Sequence, residues 1–293
     1  MDEQISLNEI PPKQSQIVEI WHRFKKNKLA MYGLIMILIL IILCACANFV
    51  MPYKDCIRMN VKEKLLPPSA EHLFGTDGYG RDLFARCLHG GRVSLLIGFS
   101  TSILSLLAGG LLGLIAGFYG GKVDEILMRC LDVFNAIPTI LLALAIVAAL
   151  GSSIPNMIIA LAISRTPAFA RVIRASVLTA ADQEYVEAAR AGGTSDLRIM
   201  LRHILPNVVG PMIVQTTMNV ASMILQAASM SFLGLGVTAP QPEWGALISE
   251  GKEFMNSAPH LILIPGLLII LSASAVSLFG DGIRDAIDPR LKN

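Results

Sequence analysis

Six stretches of this chain are apolar for long enough to cross a lipid bilayer, and they leave little freedom in what it can become. They run over roughly residues 30–50, 93–118, 133–150, 154–173, 208–233 and 260–280. About 20 apolar residues suffice for a spanning helix. Residues 151–153 between the third and fourth runs read as a tight hairpin. Arg165 and Pro167 interrupt the fourth run and make it the weakest. With 54% hydrophobic and only 16% charged residues, a soluble globule is excluded. The net charge of +2 points to no nucleic-acid partner. The expected fold class is an all-α integral membrane protein with six transmembrane helices.

Lys and Arg orient it. With the N-terminus inside, 16 of the 24 Lys and Arg residues fall on cytoplasmic segments, as the positive-inside bias requires. Both termini and residues 181–206 are then cytoplasmic. Ala45-Cys46-Ala47 resembles a signal-peptide cleavage site, but the leader is too long and the apolar run exceeds an h-region, so the first run reads as a span. Ile17 to Lys28 mixes apolar and basic residues and suits a helix at the inner membrane surface, or a positive stop for topology.

Residues 181–206 form a polar island between two apolar runs. A helix is expected over 181–191, broken by Gly192 and Gly193. Thr194 or Ser195 then caps a second helix with Asp196 at its positive end, and Pro206 ends it. Such a knob suits docking into a groove on a soluble partner; the bland alternative is an amphipathic loop.

Inside the membrane, Gln215, Asn219, Ser222, Gln226 and Ser229 recur at spacings of 4, 3, 4 and 3, which puts them on one helix face. Two readings stay open: a translocation-path wall suited to zwitterionic substrates, or hydrogen bonding between helices. Glycines 109, 113, 117 and 121 read as a close-packing face. Asp132 is expected to pair with Arg165 or Arg171. Trp244 is expected at the membrane interface. Cys56 and Cys87 read as free thiols rather than a disulfide. Gly120-Gly121-Lys122 lacks the residues of a phosphate-binding loop. No catalytic triad or metal-ligand cluster is expected.

Four motifs carry a resemblance. Glu187-Ala188-Ala189, Gly193 and Leu205-Pro206 fall on the EAA loop of ABC importer permeases, with His203 standing where the pattern has Ile and Ile204 next to it. Residues 75–82 (GTDGYGRD), 231–245 (SFLGLGVTAPQPEWG) and 280–291 (GDGIRDAIDPRL) resemble motifs of the peptide and nickel branch. The chain therefore resembles the C-type permease subunit of dipeptide/oligopeptide/nickel ABC importers, over about residues 20–292.

The resemblance implies a type I ABC importer permease fold with cytoplasmic coupling helices. Its expected parts are a leader (1–29), a first span (30–50), an outer loop (51–92), a permease domain (93–283) with the coupling loop 181–206, and a tail (284–293). The implied partners are a homologous permease, two ABC ATPases that bind ATP and Mg, and an extracytoplasmic binding protein, all at a bacterial cytoplasmic membrane. This chain would hold no cofactor and would not be an enzyme. The coupling residues would be Glu184, Glu187, Ala188, Ala189, Gly193, Asp196, Leu205 and Pro206. Glu187 would make the charged contact, Ala188 and Ala189 would allow close approach, and Gly193 would set the turn. Peptides are the first substrate class, with nickel or metal chelates as the alternative; the rival from another class is an ion-coupled secondary transporter, for which Asp132 and Arg165 would be the candidate membrane-embedded groups. Residues 74–92 stay open between a binding-protein contact and a structural turn. Asp281, Arg284, Asp285 and Arg290 would brace the inner end.

Overall fold

A computed structural model describes residues 16–287, and within them every regular element is helical. Helix α1 (Gln16–Lys26) is amphipathic and leads into α2 (Lys28–Ala45), the first apolar span. Asn27 caps α2 by accepting a hydrogen bond from the Ala30 amide at 3.2 Å. Two single turns follow, α3 (Ala47–Val50) and α4 (Tyr53–Ile57). Helix α5 (Leu83–Tyr119) is 37 residues long. It starts well before residue 93 because Asp82 caps it, accepting from the Ala85 amide at 2.9 Å.

The third apolar run is not one straight helix. It begins in the last residues of α6 (Gly121–Asn135), a helix that starts well before the run, and continues as α7 (Thr139–Leu150), and the two helices meet at 82°. Pro138 sits at the break, where its ring denies the backbone a donor. Helix α8 (Ile154–Ala181) runs past residue 173 with Pro167 inside it. Helices α9 (Glu184–Ala191) and α10 (Asp196–Ile199) form the polar island, and α11 (Leu205–Phe232) is the fifth span. After a non-helical stretch come α12 (Trp244–Gly251) and α13 (His260–Ile287). Five helices, counting α10 and α11 as one, are long and apolar enough to cross a membrane, and the bent α6–α7 pair makes six.

The tightest seam is α5 against α8. A Cβ on Gly109 would lie 2.5 Å from the Phe169 Cβ, and one on Gly113 would lie 2.5 Å from the Ala170 carbonyl. Gly117 faces Val177 in the same way, at 2.8 Å. Four-residue spacing puts these glycines on one face, and their missing side chains let the two backbones touch. Gly121 is not part of this face. It starts α6 with φ +50 and has nothing within 4 Å.

The bundle has two ends. At one, α9 and α10 sit over the ends of α5 and α8, and Gly210 of α11 meets Ile287 of α13. Here α1 is clamped to α13: Phe24 is buried and packs edge-on to Phe279 at 5.6 Å. A Cβ on Gly282 would lie only 2.1 Å from the Ala30 Cβ. Helix therefore continues through 284–287, which were expected as tail. Asp285 accepts a hydrogen bond from Asn27 at 3.3 Å, while Arg290 lies outside the described residues. At the other end, residues 46–82 and 233–259 cover the helix ends around a core of Leu83, Cys87, Trp244 and Leu261.

Gly113→Leu is expected to force α5 off α8 and lower the thermal midpoint of the detergent-solubilised protein by several degrees. Gly266→Leu, at a glycine with nothing within 4 Å, is expected to leave it unchanged.

Candidate functional site

The polar island is a handle with a buried underside. Val186 of α9 and Ile199 of α10 are 0% exposed, and they pack with Ile204 on Ile173 and Val177 of α8 and on Leu114 and Phe118 of α5. Helix α9 ends in a Schellman turn: the Thr194 amide donates to the Ala189 carbonyl and the Gly193 amide to the Arg190 carbonyl, each at 3.0 Å. Gly193 adopts φ +75, which disfavours any side chain there although the space is open. Ser195 stands at the N-cap of α10 but makes no side-chain cap bond.

Pro206 does not end the second arm. Residues Met200–Ile204 form a π-turn, which widens the spiral just before the proline ring, so α10 and α11 run on as one 37-residue helix. Asn207 ties the arms together, its amide nitrogen donating to the His203 carbonyl at 2.6 Å and to the Tyr185 hydroxyl at 3.1 Å.

The structure separates the expected coupling residues into two sets. Glu184, Glu187, Ala188, Gly193, Asp196 and Pro206 are exposed. Ala189 and Leu205 are half-buried against the underside cluster and belong to the handle's foundation. Sequence reasoning missed Tyr185, Leu197 and Leu201, which are 42%, 63% and 52% exposed on the outer face. Apolar residues recurring four apart within a polar island were the available signal. The outer face thus combines the three carboxylates of Glu184, Glu187 and Asp196 with small residues and apolar knobs.

The polar stripe of α11 is split. Asn219 is 2% exposed; it accepts from Arg165 Nε at 2.7 Å and donates to the Ser102 hydroxyl at 3.2 Å, joining α11, α8 and α5. Ser222 instead lines an open groove of about 550 Å³ with Ser274, Ser277 and Asp281 of α13. Gln215 and Gln226 are half-buried, the Gln226 carbonyl lacks a partner, and Ser229 is exposed. Asp132 pairs with Arg171 at 2.5 Å, not with Arg165. The reason is position: Arg165 lies well over a turn deeper along α8 than Arg171, beside Asn219.

At the far end, residues 75–82 fold as a structural turn around buried charge. Asp77 accepts from Arg81 Nε at 2.6 Å and from Arg86 at 2.7 Å. Arg86 also reaches Glu250 of α12 at 2.7 and 3.0 Å, and Arg81 bonds the same carboxylate. Asp77, Arg81 and Arg86 are 5%, 2% and 1% exposed. Trp244 is not an interfacial anchor. It is 1% exposed, and its indole N–H donates to the Cys87 carbonyl at 2.9 Å. Glu243 beside it is fully buried, accepting from Ser94 at 2.8 Å and from the Ala246 amide at 3.0 Å. The WG dipeptide can lie this deep because a Cβ on Gly245 would stand 2.4 Å from Ala228. All five cysteines are free, with Cys56 and Cys87 both buried.

Comparison with known proteins decides the family. The family described as the binding-protein-dependent transport system inner membrane component matches residues 109–293. The chain belongs to this family. The N-terminal transmembrane domain of oligopeptide transport permease C matches residues 15–68. Among similar proteins, the dipeptide transport system permease DppC of Alkalihalophilus pseudofirmus is 43% identical, covering 97% of this chain and 95% of its own. The di/tripeptide transport system permease DppC of Pseudomonas aeruginosa is 44% identical, covering 95% and 94%. The glutathione transport system permease GsiD of Pectobacterium atrosepticum is 42% identical, covering 94% and 91%. A solved inward-facing structure of the MetNI methionine ABC transporter superposes with a TM-score of 0.58 at 17% identity, covering 69% of this chain and 97% of that one. This permease has the type I ABC importer permease fold.

Two outcomes follow for the far end of the permease. Asp77→Asn leaves two buried arginines with too little counter-charge and is expected to destabilise by on the order of 3 kcal/mol, read as a lower unfolding midpoint in detergent. Burial pushes the Cys56 thiol up to about 11, so it stays protonated at neutral pH. Maleimide at pH 7 is expected to label exposed Cys130 and spare Cys56, with Cys56 still spared at pH 9 and becoming labelled in Asp77→Asn.

Proposed function

We propose that this chain is one of two permease subunits of an ATP-driven importer that carries short peptides across a bacterial cytoplasmic membrane. The carrying observation is similarity over nearly the whole chain to permeases named for dipeptides, di/tripeptides and glutathione. All three substrates are small molecules with peptide bonds and charged ends.

The handle end faces the cytoplasm in this reading, in keeping with the excess of Lys and Arg on that side. Two ATPases, which bind ATP and Mg, each grip one handle, one on this chain and one on a homologous permease. A binding protein delivers peptide to the far end. Glu187 and Glu184 supply charge to the ATPase groove, and Leu197 and Leu201 supply apolar contact. The handle transmits force because its underside is packed on α5 and α8. A pull on α9 or α10 therefore moves those helices together rather than a loop alone. The continuous α10–α11 helix carries the same displacement to the polar stripe. Chemistry stays with the ATPases, and this chain supplies the path and the lever.

Glu187→Arg and Gly193→Asp are expected to reach the membrane in normal amounts but to lower ATP-dependent uptake of a labelled dipeptide about tenfold. Wild-type uptake is expected to survive collapse of the proton gradient and to stop on ATP depletion. Normal uptake by both variants would remove the handle from the coupling pathway.

A further inference from the structure

Three arginines line α8, and two of them are neutralised: Arg171 by Asp132 and Arg174 by Asp124. Among the described residues, Arg165 meets no carboxylate. Among the described residues its only hydrogen bond runs from Nε to the Asn219 side chain, at 2.7 Å. Its terminal nitrogens are not among the side-chain atoms sealed inside the bundle. Arg165 lies roughly 17 Å along α8 from Ile154 and roughly 24 Å from Ala181, at 1.5 Å per residue. That places it near mid-depth in a hydrocarbon layer about 30 Å thick. A guanidinium stays charged at any physiological pH, and an ionisable group at that depth is costly to keep without a purpose.

The side chain is also held in a definite pose. Asn219 is fixed by Ser102, itself fully buried on α5. This grip uses Nε and leaves the two terminal nitrogens, the prongs that receive a carboxylate, free. Asn219 is the buried member of the α11 polar stripe, at 2% exposed, while Arg165 itself is only half-buried. A permanent acidic neighbour would neutralise the charge within the chain, as at Arg171 and Arg174. A carboxylate that arrives and leaves once per cycle would not.

We propose that Arg165 is a carboxylate-binding residue of the translocation path, taking the C-terminal carboxylate of the peptide in transit, with Asn219 and Ser102 as its positioning residues. This rests on the peptide-importer reading above. The path wall is then not neutral throughout: one fixed positive charge stands near its middle and selects for a free C-terminus.

The test uses the whole transporter in cells, with a dipeptide and a C-terminally amidated analogue chosen because the binding protein loads it. Both are supplied at saturation, so uptake reports the membrane step. Arg165→Gln is expected to lower uptake of the free acid about tenfold while changing uptake of the amide less than about twofold. Arg165→Lys is expected to fall between Arg165→Gln and wild type for the acid. An equal fall for acid and amide would assign Arg165 to bracing and overturn the proposal, as would no fall for either. Loss of the co-purifying permease partner from Arg165→Gln would assign the charge to a carboxylate on that subunit and overturn it as well. If the wild type moves neither peptide on ATP, the importer reading itself fails, which is distinct from failure of the Arg165 assignment alone.

Discussion

Everything in this bundle hangs from the contact between α5 and α8. Three glycines on α5 remove the side chains that would separate the two backbones, so the helices meet at the spacing of main-chain atoms. Within a membrane, apolar side chains gain nothing from leaving lipid, and close packing of this kind is what holds helices together. The seam spans most of the membrane depth. Its far end is continuous with the Asp82 cap and the buried charges, and its near end with Leu114, Phe118, Ile173 and Val177 beneath the handle. A rigid strut thus joins the two surfaces of the protein.

Charge is distributed along that strut in three ways. At the far end it is buried and balanced: two arginines against Asp77 and Glu250, holding the outer turn to α12. At the handle it is exposed, with Glu184, Glu187 and Asp196 left in water. In between, one arginine is posed by an amide and, among the described residues, matched by no acid. Buried and balanced charge positions a segment, exposed charge is left free for a partner in the proposed coupling role, and the unmatched charge on α8 is the one assigned by proposal to the peptide in transit. The same side-chain chemistry serves different ends according to its surroundings.

Much of this was legible before any coordinates. Six apolar runs of the right length announced six crossings, because a backbone in lipid must satisfy its hydrogen bonds within a helix. The glycine pair after Ala191 announced the break in the handle. Other features were not legible. Pro206 reads as a stop, yet a π-turn lets the helix pass it. Trp244 reads as an interface residue, yet Gly245 and Gly91 leave a slot in which it is buried. Asp132 was compatible with two arginines, and depth along α8 selected Arg171.

What the sequence by itself determined is the class of solution: a helical membrane protein, its crossings, the polar handle and the turn at Gly193. These depend on period, length and local backbone preference, which a chain carries wherever it goes. What only the tertiary structure decided is partnership. The five polar residues of α11 share one helix face, but whether a face is wall or seam depends on which helix lies against it. Asn219 went to Arg165 and Ser102, while Ser222 went to an open groove, because contacts between residues 54 or 117 positions apart are set by packing and not by spacing.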